Sequence, residues 1–206
     1  MTRLTVPPPH STFDAVMDDG AVIRLRRHGN PSGPRIVLSH GNGLAINGYL
    51  PYWGLLAEDF DVVVFDFRNC GENPVHDGAH DYDRFLADLD AIYDAIDTEF
   101  GKKPQIGIFH SMSSRANLKY ALDGNRRLDG LIVYDPPMVP PKGHPLHERL
   151  DGEERVLRRW AQGRPDGFDD PADQAALFQK SRMLSKWVEG AYELMAESIL
   201  RRDEIT

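Results

Sequence analysis

One stretch of the chain decides its fold: residues 105–118, which read QIGIFHSMSSRANL. The first six residues form a short apolar run that is long enough for one buried strand but not for a helix. From Met112 onward the apolar residues follow helical spacing, and Gly124 ends that pattern. The stretch therefore predicts a strand, a sharp turn and a helix, with Ser111 on the turn.

The predicted turn partly matches G-x-S-x-G, the pattern in which a serine nucleophile stands between a strand and a helix. Such a turn exposes the hydroxyl and directs the first helix amides towards it. Small residues are needed two positions before and after the serine, because strand and helix nearly touch there. Ser113 meets this requirement, but Phe109 does not, and its ring must leave the crowded side of the turn. Ser113 and Ser114 are alternative nucleophiles, but each would have a bulky flanking residue, so Ser111 is the best candidate.

The composition is that of a globular protein. The 206 residues suffice for one domain, or for one domain with an insertion. Hydrophobic residues make up 41% and aromatic residues 9% of the chain, which suits an apolar core. The net charge of −8 argues against nucleic acid or an acidic membrane surface as partner. We find no run as long as a membrane span, and the first residues lack the apolar segment of a signal peptide.

Cysteine and histidine usage narrows the chemistry further. The single cysteine, Cys70, excludes an internal disulfide and is typical of a cytoplasmic protein. The eight histidines do not stand at ligand spacing with a carboxylate or a cysteine, so we expect no metal site. No G-x-G-x-x-G pattern follows the first parallel strand, so we expect no nucleotide cofactor.

Strands and helices are predicted to alternate over most of the chain. Two strand-like runs, residues 11–17 and 21–27, flank a hairpin signal at residues 18–20. From residue 35 onward strand and helix alternate up to a fourth strand, which is typical of a mostly parallel sheet covered by helices on both faces. The strands are predicted at 35–39, 61–66, 105–110 and 130–135, and the helices at 51–58, at 82–100 and from 112 to the stop at 124. In the first helix, Trp53, Leu55 and Leu56 are expected to face inward.

The character of the sequence changes after Asp135. Prolines and glycines cluster there, and no further strand is predicted. We therefore expect an α/β core over residues 1–139 and a helical segment over residues 140–206. The helices of this segment are predicted at 147–162, from Pro171 onward, and over 184–199 with a break at Gly190.

Three polar loops follow successive parallel strands in a fixed order. They are residues 40–43 (HGNG), residues 66–71 (DFRNCG) and residues 110–113 (HSMS). Together they resemble the α/β-hydrolase superfamily, in which a His-Gly loop follows the third strand, an Asp-x-Arg-Gly-x-Gly loop the fourth and the nucleophile elbow the fifth. The resemblance covers roughly residues 11–200, and the helical segment over residues 140–206 resembles that family's cap insertion. The resemblance implies an α/β-hydrolase-like fold and a serine hydrolase that acts on a small-molecule carboxylic ester.

The resemblance also implies roles for particular residues. Ser111 would be the catalytic nucleophile. The backbone amides of Asn42 and Met112 would form the oxyanion hole. Three residues would support the loop that carries the first of these donors: His40, Gly41 and Gly43.

The other catalytic groups remain open. Asp135 ends the strand after the elbow helix, where some family members keep the triad acid, although most place it one strand later. The family's catalytic histidine follows a later strand that is not predicted here, and His144 and His147 are the only histidines after the turn. His110 neighbours Ser111, but its ring is expected to point away from the hydroxyl. The alternative is a catalytically inactive member that binds a ligand or a partner.

Two further expectations follow from the resemblance. Asp66 and Arg68 should anchor the loop after the fourth strand, where Asn69 replaces the family's usual glycine and puts the loop conformation in question. Residues 131–134 should form an edge strand that is apolar on both faces and unpaired on one side. We therefore expect the 206 residues to be part of a longer protein, or to self-associate through this edge.

Overall fold

Six strands form one mixed sheet in the computed structural model of the protein, which describes residues 3–165, 167–181, 184 and 186–201. The strands are β1 (Ser11–Val16), β2 (Val22–Gly29), β3 (Arg35–Ser39), β4 (Asp61–Phe65), β5 (Gln105–His110) and β6 (Gly130–Tyr134). Their order across the sheet is β1-β2-β4-β3-β5-β6. The pairs β1–β2 and β2–β4 are antiparallel, and the pairs β4–β3, β3–β5 and β5–β6 are parallel. The predicted α/β class is confirmed.

Helices connect the parallel strands and follow the last of them. They are α1 (Leu50–Leu56), α2 (Tyr82–Phe100), α3 (Met112–Leu122), α4 (His147–Gln162), α5 (Pro171–Lys180) and α6 (Ala191–Ile199), with a 3-10 turn at Ile46–Tyr49 before α1. The bounds of α2 are those predicted, because a local sequence signal marks each end of the helix. The side chain of Asp81 accepts a hydrogen bond from the Arg84 N–H at 2.9 Å, and Gly101 ends the helix with a φ of +81°.

Two helix predictions need correction. Trp53 is fully buried on α1 as expected, and its Nε1 donates to the Ile46 carbonyl at 3.0 Å, but Leu55 faces outward and is 79% exposed. The stripe over residues 184–199 is interrupted at Gly190, as expected, but the described residues before the break do not form a helix. Gly190 has a φ of +82°, and α6 begins only after it.

The sheet places the three polar loops together, at the carboxyl ends of its parallel strands. Apolar cores cover both of its faces, one against α2 and α3 and the other against α1. Because β3, β4, β5 and β6 run parallel, their carboxyl ends lie on the same side of the molecule. The loops at 40–43, 66–71 and 110–113 and the residue after β6 therefore leave the sheet together.

The last strand, β6, leaves apolar side chains exposed. Ile132 is 44% exposed and Tyr134 47% exposed, and Ile106 on the neighbouring strand is 39% exposed. The register pairs Ile132 with Ile108 and Tyr134 with His110, so both exposed residues lie on one face. The prediction of an edge strand is confirmed, since no described strand pairs with the outer side of β6.

His28 is a buried histidine on β2 whose ring lies at a tilt beside Trp53, with ring centroids 4.8 Å apart. It is 2% exposed, and neither ring nitrogen bonds to a described residue. Burial, together with the nearby Arg26 charge, lowers the pKa of His28 to about 4.

We expect the free energy of unfolding to decrease as the pH falls from about 6.5 to about 4. In this range the unfolded chain binds a proton at residue 28 that the folded chain does not, so acid favours unfolding. The loss due to His28 is about 2 kcal/mol at pH 5. In the variant His28→Leu this part of the pH dependence should disappear. Urea denaturation of both proteins at pH 7 and pH 5 measures it, and an equal pH dependence in both would refute the assignment.

Candidate active site

Ser111 stands between β5 and α3 in a strained conformation. Its φ of 53° and ψ of −114° lie in a region that non-glycine residues rarely adopt, at a cost of about 1–3 kcal/mol. The surrounding backbone holds it there. Its N–H donates to the Tyr134 carbonyl at 2.8 Å, and its carbonyl accepts from the Arg115 N–H at 3.0 Å. The half-buried side-chain hydroxyl makes no hydrogen bond with a described residue.

The two neighbouring serines are engaged with the backbone. The Ser113 hydroxyl donates to the His110 carbonyl at 2.9 Å and accepts from the N–H of the same residue at 3.0 Å. The Ser114 hydroxyl donates to the Phe109 carbonyl. Both serines are fully buried. Of the three candidates, Ser111 alone has a hydroxyl that the described residues leave free.

Phe109 fits beside the turn because Gly107, which was not among the predicted site residues, leaves room for its ring. A Cβ at Gly107 would lie 2.4 Å from Cε2 of Phe109 and 2.7 Å from Cδ1 of Leu128. The ring therefore lies over Gly107, two residues earlier on the same face of β5, and is 1% exposed. The sequence signal for this contact is the spacing of Gly107 and Phe109, which places them on the same face of a strand.

The loop after β3 lies directly against Ser111. Gly41 is buried, and a Cβ there would lie 3.1 Å from Cβ of Ser111 and 2.8 Å from Nδ1 of His110. Only glycine permits this close approach. The next residue, Asn42, is exposed, and its N–H donates to no described residue. The N–H of Met112, at the start of α3, is likewise free of a described backbone acceptor.

His40 links this loop to the end of β4. Its Nδ1 donates to the Gly41 carbonyl at 2.9 Å, and its Nε2 accepts from the Phe67 N–H at 3.1 Å. A neutral ring with the proton on Nδ1 satisfies both contacts. Complete burial lowers the pKa of His40 and thereby favours this neutral form. With both nitrogens occupied, the ring supports the loop and does not reach Ser111.

Tyr49 ties the same loop to His110. Its hydroxyl lies 2.7 Å from Nδ1 of His110 and accepts from the Gly41 N–H at 3.2 Å. The His110 ring makes no hydrogen bond with Ser111. It nevertheless packs against Gly41, which also contacts Ser111, and so lies closer to Ser111 than we expected. Burial lowers the pKa of His110, and the charge of Asp135 partly opposes this shift.

Asp66 and Arg68 fix the loop after β4. The Asp66 carboxylate accepts from the Ile46 N–H and from the Arg26 guanidinium, both at 2.7 Å. It thus connects two loops of the site. The Arg68 guanidinium donates to both carboxylate oxygens of Asp88 on α2 at 2.7 Å.

Asn69 adopts the conformation that a glycine would take. Its φ is 60°, and asparagine is one of the few other residues that tolerate this region. Its side chain closes the loop, because Nδ2 donates to the His76 carbonyl at 2.9 Å and Oδ1 accepts from the His76 N–H at 2.7 Å. The replacement of glycine therefore preserves a glycine-like turn.

A comparison with family models decides where the chain belongs. The model of the alpha/beta hydrolase family matches residues 36–201, which include all three polar loops. The protein is a member of the α/β-hydrolase family. No curated protein sequence matches it.

Solved structures share the fold of this α/β-hydrolase. A thioesterase domain from the curacin biosynthetic pathway has a TM-score of 0.69 and 18% identity, covering 95% of this chain and 70% of that chain. An α/β-hydrolase from Novosphingobium aromaticivorans has a TM-score of 0.69 and 19% identity, with coverages of 94% and 65%. N-formylmaleamic acid deformylase from Pseudomonas putida has a TM-score of 0.63 and 20% identity, with coverages of 91% and 67%. The chain thus spans about two thirds of their length.

An apolar cavity of about 320 Å³ lies beside the turn of this α/β-hydrolase. It opens at the carboxyl ends of β3, β5 and β6, next to His110. A larger cavity of about 560 Å³ lies over β1 and β2, at the opposite edge of the sheet. The smaller cavity is lined mainly by Leu38, Ile46, Tyr49, Tyr52, Ile108 and Tyr134.

The remaining candidate residues, Asp135, His144 and His147, make no hydrogen bond with Ser111 or with the loop after β3. Asp135 is exposed, follows β6 directly and has a φ of 47°. His144 accepts from the Leu146 N–H at 3.2 Å, and His147 lies 2.7 Å from the Pro140 carbonyl, so both engage nearby backbone.

In the part of the chain that the structure describes, no cluster of three His, Cys, Asp or Glu side chains could hold a metal ion. No described helix has both the length and the apolar character needed to span a bilayer.

Proposed function

We propose that the chain is a serine hydrolase that cleaves a carboxylic ester, with Ser111 as its nucleophile. One observation carries the proposal: the strained Ser111 keeps its hydroxyl free while the buried Gly41 packs against its Cβ. In the proposed reaction, Oγ of Ser111 bonds to the ester carbonyl carbon and loses its proton to a base. The C–O bond to the alcohol then breaks, and the alcohol leaves with a proton. Water later cleaves the acyl-serine bond.

The proposed oxyanion hole consists of the N–H groups of Asn42 and Met112. Asn42 follows Gly41, which contacts Ser111, and Met112 follows Ser111 itself. Neither N–H has a described backbone acceptor, so both are available to the negative oxygen of the tetrahedral intermediate. Such a donor typically contributes about 3–4 kcal/mol in the transition state. His40, Gly41 and Gly43 are proposed to hold the first donor in place.

Asp135 is proposed as the triad acid because it leaves the sheet at the same edge as Ser111, immediately after β6. No described imidazole hydrogen-bonds to Ser111, so no base is assigned. His110 precedes Ser111 in sequence, but its ring is held by the Tyr49 hydroxyl instead.

We also propose that residues 140–206 form a cap over a core of residues 1–139. Support comes from α6, which packs on the 3-10 turn after β3. Met195 lies against Gly48, and its Sδ accepts from the Ala45 N–H at 3.4 Å. The apolar residues of α4 do not pack in the core. No residue of α4 is buried, and Trp160 is 42% exposed.

Labelling with a fluorophosphonate, followed by peptide mapping, tests the proposed nucleophile. The reagent should modify Ser111 because its hydroxyl is free, and should leave Ser113 and Ser114 unmodified because theirs are buried and hydrogen-bonded. A folded protein that takes no label, or takes it at another residue, would refute the assignment.

The exposed edge of β6 favours a second candidate function, an interaction protein that pairs with a copy of itself. The unpaired side of this strand can accept another strand, and Ile132 and Tyr134 add exposed apolar surface beside it. The absence of a described base for Ser111 is also compatible with a non-catalytic role.

Replacing Ile132 with lysine is expected to reduce self-association, since a charge on an edge strand opposes strand pairing. Sedimentation velocity at several protein concentrations measures it. The control is Val75→Lys, which places the same charge at an apolar residue that is 70% exposed. Val75 lies in the loop after β4, next to His76, which contacts the β1–β2 hairpin at Asp19 on the opposite side of the sheet. A wild-type protein that stays monomeric at every concentration would refute self-association.

A further inference from the structure

Arg164 follows α4 and reaches back to the loop after β3. Its Nη2 donates to the Gly43 carbonyl at 2.9 Å, across 121 residues of sequence. A Cβ at Gly43 would lie only 2.0 Å from Nη1, so the guanidinium lies directly on the glycine. The φ of Gly43 is +68°, which also favours glycine there. A cation is therefore placed one residue from the proposed oxyanion donor of Asn42.

Arg164 has no ion-pair partner among the described residues, unlike three arginines of α4. Arg149, Arg155 and Arg158 each pair with an acidic residue one helical turn away. None of the ion pairs among the described residues includes Arg164, which packs over the Trp160 ring at 5.2 Å. It is half-buried, and this burial lowers the pKa of Arg164. A partly desolvated cation is stabilised when an anion reaches it.

We propose that Arg164 binds a carboxylate of the substrate, so that the enzyme prefers esters that carry a second, free carboxylate. The proposal rests on the proposed function of Ser111. Consecutive Cα atoms are 3.8 Å apart, so Gly43 lies within about 7.6 Å of Gly41, which contacts Ser111. The two ends of a short dicarboxylic monoester span such a distance. A guanidinium that spends one donor on Gly43 retains others for the two oxygens of a carboxylate.

Binding of glutarate by the variant Ser111→Ala tests this without any need for hydrolysis. Isothermal titration calorimetry would compare glutarate with its neutral counterpart, glutaramide. Adding Arg164→Gln should weaken glutarate binding by about 10-fold or more, because a charge-assisted contact is lost. Adding Arg158→Gln removes an equal charge from α4, where Glu154 already pairs with it, and should leave the affinity unchanged. Glutaramide should bind to the three proteins, Ser111→Ala alone and with either added substitution, with the same affinity.

Two results would overturn the proposal: no glutarate binding by the Ser111→Ala protein, or equal binding with Arg164→Gln and Arg158→Gln. Thermal melting of each variant verifies that it is folded, and Arg164→Lys, which keeps the charge, should retain part of the affinity. If glutarate binds through Arg164 while fluorophosphonate fails to label Ser111, the proposed hydrolase function fails and the anion site stands.

Discussion

Replacing Ser111 with alanine is expected to reduce ester hydrolysis by at least about 10⁴-fold. The Ser111 oxygen would form the covalent acyl intermediate, so its loss removes the step itself. No neighbour can replace it, because the hydroxyls of Ser113 and Ser114 are buried and bound to backbone carbonyls. Steady-state hydrolysis of p-nitrophenyl butyrate, expressed as kcat/KM, measures the change.

The matched control is Ser113→Ala, which removes a hydroxyl from the same turn. That variant loses hydrogen bonds to the His110 backbone, a cost of about 1 kcal/mol in stability, and leaves Ser111 in place. It should keep most of its activity. Equal losses in the two variants, or undiminished hydrolysis by Ser111→Ala, would contradict the assignment.

Replacing Arg68 with alanine is expected to lower the free energy of unfolding by about 3 kcal/mol or more. Arg68 is 1% exposed and donates to both oxygens of the buried Asp88 at 2.7 Å, and to Asp19 at 2.7 Å. Its removal leaves the Asp88 carboxylate with only the weaker contacts of Arg84, at 3.1–3.2 Å. Since a domain is stable by only about 5–15 kcal/mol, the loss should be plain in urea denaturation.

Arg24→Ala is the control for this measurement. Arg24 pairs with Asp14 at 2.8 Å, nearly as close as the pairs of Arg68, but both side chains are more than a third exposed, at 35% and 44%. An exposed pair contributes about 0–1 kcal/mol. A loss for Arg68→Ala no larger than that for Arg24→Ala would show that the buried pair does not hold the loop after β4.

Much of the fold is predictable because local spacing reports burial. The apolar run Asp61–Phe65 is buried at every position, as a central parallel strand requires. The helical stripe of α2 packs against the sheet, and its end signals at Asp81 and Gly101 fix its bounds. The stripe of α4 shows the limit of this reasoning. It predicts a helix with the correct bounds, but the helix buries none of its residues.

The contacts that shape the candidate site could not be predicted in this way. Tyr49 and His110 are 61 residues apart in sequence, and Arg164 and Gly43 are 121 residues apart. A pattern of local spacing does not indicate which distant side chains meet. The sequence does place Ser111, Gly41 and Asn42 at the ends of parallel strands, and this is why their proximity could be expected.

A crystal structure of the fluorophosphonate-labelled protein would test the central claim most directly. The claim is that two main-chain N–H groups, of Asn42 and Met112, face the free hydroxyl of Ser111. The phosphonyl oxygen on Ser111 should then lie about 2.7–3.1 Å from both nitrogens. A phosphonyl oxygen that points to solvent, more than about 4 Å from either nitrogen, would contradict it.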